Sequence, residues 1–267
     1  MSLGPDRVIL TLWASTLEWL KLWRTSVKPI RFLIISFFFL WIVSPLWAAG
    51  DLAAGPTNYE MIEAPTAYTL MHGGYDLVMR MYEDGGLYLR GNVGFKNIFM
   101  FGFSGNATNV IGTGTIQIQA PGLFFKFKVL DEKTAPFSLA AAYDGRGYGT
   151  ETNGRFYPGL QKGFYLVISK ELTDAGFVQF HGGVNVVTFD NFNSGQDLGL
   201  FGGTSFAVAA PLVFNLEVDK VLTSLWQFNA NFVFNYDNPL RVGVDFRDLN
   251  NAQLFSRILR IQYVSFF

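Results

Sequence analysis

From Tyr75 to the C-terminus the sequence alternates apolar and polar residues with period two, and no extended helical period appears there. Such alternation marks strands with two different faces. Leu87, Leu89, Val93 and Phe95 fall on one face, and Tyr88, Arg90 and Asn92 on the other. Phe99, Phe101 and Phe103 oppose Gly102 and Ser104, while Phe125, Phe127 and Val129 oppose Lys126 and Lys128. Near the C-terminus, Trp226, Phe228, Phe232 and Phe234 oppose Gln227, Asn229, Asn231 and Asn235. Leu240, Val242, Val244 and Phe246 oppose Arg241, Gly243 and Asp245. The pattern predicts twelve strands, over 74–82, 87–95, 98–105, 122–130, 136–143, 163–171, 177–187, 200–209, 212–220, 226–236, 240–247 and 256–267.

A soluble sandwich and a membrane barrel both produce this alternation, and the connections separate them. Lys96-Asn97, Asp131 to Ala135, Leu172 to Gly176, Ala210-Pro211 and Asp237 to Pro239 are short. Asn106 to Pro121, Asp144 to Lys162 and Thr188 to Gly199 are long. Short and long alternate strictly in the middle of the chain. A transmembrane barrel needs brief periplasmic turns and longer outer loops, whereas a sandwich has no reason to sort loops by parity. The expected fold is therefore all-β: a transmembrane antiparallel up-and-down barrel of about twelve strands, in the bacterial outer membrane. Closure is required because an unpaired edge in lipid costs several kcal/mol per group.

Both ends of the chain agree. In the last strand Leu259, Ile261, Tyr263 and Phe267 share a face, and the chain stops on that aromatic. This resembles the C-terminal signal by which outer-membrane proteins reach the barrel-assembly machinery, with Ser265 departing from its spacing. Outer-membrane lipid, that machinery and periplasmic chaperones are the expected partners. At the other end, Lys28 and Arg31 precede an apolar run from Phe32 to Trp47, and small residues Ala48, Ala49 and Gly50 follow: the parts of a secretory signal. A start at Val27 would make that signal compact. The expected organisation is a signal at 1–49, a periplasmic segment or plug at 50–73, and the barrel at 74–267.

Charge and composition exclude several functions. Residues 1–49 hold five basic and two acidic groups, so totals of 20 and 21 leave 15 basic against 19 acidic, a net −4. That gives no bias toward nucleic acid. With no cysteine, disulfides, thiolate nucleophiles and Cys-ligated metals are impossible. No metal-ligand cluster is present, and no cofactor is expected. Asp245, Asp248, Asn250 and Asn251 read as loop formers before a calcium site. Gly112 to Gly114 and Gly145 to Gly149 lack the helix and Lys-Ser/Thr of a phosphate loop.

The polar faces supply the binding candidates. Arg80, Arg90, Lys126 and Lys128 come from early strands, Glu217, Asp219, Arg241 and Asp245 from late ones, and His181 shares a face with Gln179 and Asn185. Basic and acidic walls could face each other across a water-filled lumen, or pair with one another and with Asn to close it. Twelve strands leave more interior than eight, and the stretch from Gly50 to Gly73 or a loop could occupy it. No catalytic residue is assigned. Ser205 and Asn185 share no spacing with His181 that would tie them into a hydrolase arrangement.

Between Ala64 and Gly149 the chain carries Ala64-Pro65-Thr66-Ala67, Gly73-Gly74, Arg80-Met81-Tyr82, Gly85-Gly86-Leu87, Ile111-Gly112, Pro121-Gly122-Leu123 with Lys126-Phe127-Lys128, and Tyr143-Asp144. This block resembles an uncharacterised outer-membrane group related to YjbH-like, exopolysaccharide-associated proteins. The resemblance covers about a third of the chain and implies an exported β-rich protein linked to surface polysaccharide. Two functions follow as expectations: a passive conduit or envelope-assembly component with a polar lumen, or a plugged structural barrel binding through loops 106–121 and 144–162. A barrel enzyme stands third.

Overall fold

A computed structural model describes residues 59–83, 85–146, 162–172, 178–186, 198–209, 212–221, 226–235 and 239–267. The expected signal at 1–49 lies outside the described residues, as do the centres of loops 144–162 and 188–199. The strands are β1 (Gly74–Tyr82), β2 (Gly86–Phe95), β3 (Phe99–Thr108), β4 (Gln117–Ile118), β5 (Gly122–Leu130), β6 (Ser138–Asp144), β7 (Gly163–Glu171), β8 (Val178–Val186), β9 (Leu198–Ala209), β10 (Leu212–Asp219), β11 (Gln227–Asn235), β12 (Leu240–Arg247) and β13 (Ser256–Phe266).

Every neighbouring pair is antiparallel. β1 pairs with both β2 and β13, and β2 with β3, so the sheet closes on itself. β4 lies outside this ring, which leaves twelve wall strands. The seam runs from Gly74 opposite Phe266 to Met81 opposite Leu259, placing the start of β1 and the end of β13 at one rim, here the terminal rim. The opposite end is the loop rim. At the terminal rim β2 turns into β3 through Lys96 and Asn97, with φ of 50° and 60°. Two successive positive φ values suit the right-handed twist of a tight hairpin.

One predicted boundary moves substantially. The third strand, expected to stop at Gly105, continues to Thr108. Part of the expected loop folds back as β4, pairing Ile118 with Ala107 and Gln117 with Thr108. The period-two signal fades there because Gly105 and Asn106 carry no apolar side chain, although backbone pairing goes on.

The two faces sort as the alternation requires. Phe103 is 60% exposed, Leu166 51% and Phe127 49%, all on the outside. Their sequence neighbours Ser104, Tyr165, Val167 and Lys126 are buried. Large apolar groups standing outward on all sides of a closed barrel are compatible with hydrocarbon, not water. The chain forms a transmembrane antiparallel β-barrel of the outer membrane.

Candidate functional site in the barrel lumen

The inner wall is contacted from within by the chain's own residues Tyr59 to Met71. This segment makes a small hairpin: Glu60 bridges Pro65, the Met61 amide donates to the Ala64 carbonyl at 3.0 Å, and the Thr66 amide to the Tyr59 carbonyl at 3.3 Å. Its tip is Ile62-Glu63. The leg leading to β1 leaves by the terminal rim, where Thr69 donates to the Asn97 carbonyl at 2.8 Å and the His72 amide to Asn97 Oδ1 at 2.6 Å. Tyr59 lies beside Thr66.

Wall side chains satisfy the hairpin's backbone. The Glu217 carboxylate accepts the amides of Ile62, Glu63 and Ala64 at 2.8–3.1 Å and the Asn229 side-chain amide at 2.7 Å. Lys126 Nζ donates to the carbonyls of Tyr59, Thr66 and Tyr68 at 2.9, 2.9 and 3.1 Å. Arg260 donates to the carbonyl of Met61 at 2.6 Å while Asp245 holds the same guanidinium at 2.7 Å. The Ala67 amide donates to Ser169 Oγ at 2.7 Å, and Gln262 donates to the Tyr59 hydroxyl. A buried irregular segment must have its peptide groups partnered, and this lumen provides for it.

The insert is also two-sided. Toward β1, β2 and β12, Glu60 ion-pairs with Arg80 and Arg90, and Glu63 meets Arg80 at 3.4 Å and Arg247 at 3.5 Å. Burial alone would raise the Glu60 carboxyl. Arg90 and then Arg80 outweigh that and hold it well below the usual carboxylate range. Toward β3, β5, β6, β7 and β9, Met61, Ala64, Ala67 and Leu70 pack with Met100, Phe124, Ala140, Ala142, Val167 and Phe201. Two glycines make room: a Cβ at Gly94 would collide with the Met71 carbonyl, and one at Gly203 would lie 2.6 Å from Met61 Cε.

Each binding candidate can now be placed. Arg80, Arg90, Lys126 and Glu217 meet at the insert. Asp245 supports it through Arg260, and His181 through Ser169, whose Oγ lies 2.8 Å from His181 Nδ1. Asp219 stands apart, paired with Lys162 near the loop rim. Arg241 is buried at the other rim, opposite Gln262. Lys128 sits at that rim too, 2.7 Å from Asp131 of the following turn. Leu259 and Tyr263 face outward, Ile261 is half-buried on the same face, and Phe267 is exposed, its amide donating to the Gly73 carbonyl at 3.1 Å. The hydroxyl beside His181 belongs to Ser169 and not to Ser205, and Ala67 covers it.

Some charges pair wall to wall or with Asn, as Asp219 with Lys162, Asp245 with Arg260 and Asn231, and Glu217 with Asn229. Many are joined through the insert. Sequence reasoning missed Glu60, Glu63, Ser169, Arg146 and Arg260. The available signal was two acids in an otherwise uncharged run just ahead of a barrel with basic inward residues. Beside the insert lie two polar cavities of about 20 and 10 Å³, each with room for about one water. Among the described residues no group of three or more acidic or histidine side chains is placed to hold a metal.

A closed barrel, apolar outside and charged within, defines the class: an outer-membrane β-barrel protein. No protein-family model and no curated protein sequence matches the chain. Among solved structures it is similar to the KdgM porin, at 15% identity and a TM-score of 0.47, covering 73% of this chain and 99% of that one. It is also similar to the Acinetobacter baumannii outer membrane protein Omp33, at 9% identity, 74% and 99% coverage and a TM-score of 0.41. The NanC porin follows at 11%, 72% and 99%, with a TM-score of 0.39.

Proposed function

We propose that the protein is an outer-membrane conduit for hydrophilic solutes that rests shut, stoppered by its own Tyr59–Met71 hairpin. The observation that carries this reading is the hairpin's topology. The leg from Thr66 to His72 leaves by the terminal rim beside Asn97, and the tip at Ile62-Glu63 is held by wall side chains and not by strand pairing, so the hairpin can withdraw without breaking the sheet. Its polar anchors are ion pairs and hydrogen bonds that water can replace. The wall it leaves behind is rich in side chains suited to a wet passage. The YjbH-like resemblance suggests surface polysaccharide as cargo, and assembly would use the barrel-assembly machinery and periplasmic chaperones.

A second reading has its own support. Ala140, Ala142, Val167 and Met100 form an apolar inner patch that the hairpin covers, which suits a permanent stopper in a structural barrel. A catalytic reading has less to stand on, because the His181–Ser169 contact is buried beneath Ala67 and Tyr68. Planar-bilayer recording separates the first two. The full chain should show only rare openings, and a chain lacking residues 59–70 should give frequent discrete ones. A cysteine pair bridging the hairpin to β7 should abolish spontaneous openings until reduced, a clean test because native cysteine is absent. Silence of the deleted chain after verified folding would refute the conduit.

A further inference from the structure

The ion pairs made by Glu60 point to a ligand class. Arg80 and Arg90, both buried, converge on its carboxylate from adjacent strands. The wall itself positions these arginines. Arg90 lies 3.8 Å from Asp76, which accepts a 2.6 Å hydrogen bond from Asn92, and the Arg80 guanidinium lies 6.0 Å from the Tyr88 ring centre. A third guanidinium, Arg146, lines the same small cavity as Arg80, Arg90, Tyr88 and Glu60. Asp144 grips it at 2.7 and 2.8 Å, Asn92 accepts from it at 2.9 Å, and it lies 3.8 Å over the Phe124 ring. The supports of Arg90 and Arg146 belong to the barrel and stay when the hairpin leaves, whereas Arg80 also donates to the hairpin's Ile62 carbonyl at 2.8 Å. Tyr88 and Arg146 line this cavity together with the tip residues Ile62 and Glu63.

A planar guanidinium fork matches a carboxylate in geometry as well as charge. Resting on the conduit reading, we infer that Arg80, Arg90 and Arg146 form a binding site for a carboxylate-bearing solute, and that Glu60 occupies it in the closed state as an intramolecular stand-in. A solute carboxylate and the hairpin then compete for one site, so binding favours withdrawal. The outward state should prefer anions, because Lys126 also loses its three carbonyl partners there.

The test uses the full chain folded in detergent and citrate as the probe, read by calorimetry, with folding verified by heat-modifiable gel mobility. Glu60→Ala should bind citrate at least tenfold more tightly than the parent, and adding Arg80→Ala and Arg90→Ala should remove that gain. In the unaltered protein, citrate should expose Tyr59–Met71 to protease while chloride at equal ionic strength does not. This arm needs no variant to fold. The inference is overturned if Glu60→Ala binds no tighter, if binding survives loss of both arginines, or if citrate and chloride expose the hairpin equally. Binding in detergent is independent of conductance, so this can fail while the conduit stands, and the reverse.

Discussion

The outer and inner faces of this barrel are built from the same strands but obey different rules. Outside, Phe103, Leu166, Phe127 and their neighbours meet a uniform hydrocarbon solvent, where one apolar side chain replaces another at little cost. Inside, the polar groups that hold the hairpin have particular partners: Glu217 serves three amides, Lys126 three carbonyls, Glu60 two arginines. A face that contacts solvent needs only the right polarity. A face that contacts a folded segment needs the right atom in the right place.

Substitutions can break that contrast. The largest effect is expected for Glu60→Ala, which leaves Arg80 and Arg90 without this carboxylate. Breaking a buried ion pair from one side costs about 3–5 kcal/mol. The loss should appear as protease sensitivity and fast amide exchange confined to residues 59–71, with urea unfolding of the barrel nearly unchanged. Leu166→Arg, midway along β7, should do the opposite. It should lower barrel stability in lipid by about 2–4 kcal/mol while leaving the hairpin as protected as the barrel.

Lys126→Met keeps most of the volume but orphans three carbonyls, at about 1–3 kcal/mol for a buried unsatisfied group. Amide exchange should rise first at Thr66 to Tyr68, and exchange unchanged there would show that Lys126 does not anchor the hairpin. Acid gives a smaller and later effect. Because the folded Glu60 carboxyl lies below its ordinary value of 4.5, its contribution is complete above that pH and is lost only as pH falls toward the lower, folded value. Protease protection of 59–71 should therefore hold from pH 7 to 5. Release within that window would show that another group controls the hairpin. Smallest of all, Phe103→Leu should change barrel stability by less than about 1.5 kcal/mol.

The same contrast explains what the sequence disclosed. Alternation is imposed by a medium, so Phe125-Lys126-Phe127 announces its strand and its two faces without knowledge of any partner. The twelve-strand ring, its rims and the inward direction of Arg80, Arg90, Lys126 and Glu217 were legible for that reason. What Glu217 binds was not, because its partners are the amides of residues 62–64, which every sequence possesses and none displays. Ser169 stayed hidden for a similar cause: a serine on a polar face looks like any other until Ala67 and His181 are beside it. The inner apolar patch at Ala140 and Ala142 was masked by the small size of alanine, which fits either face.

The closing strand β13 supplies Arg260 and Gln262, which grip Met61 and Tyr59 at sequence separations of 199 and 203. The stopper's socket is thus incomplete until the final staves of the cask are set. During biogenesis the earliest-translated portion of this region has to wait for the latest, since contacts so distant in sequence form only after the intervening loop is paid out. A half-assembled cylinder would be an open one, and sealing comes with completion.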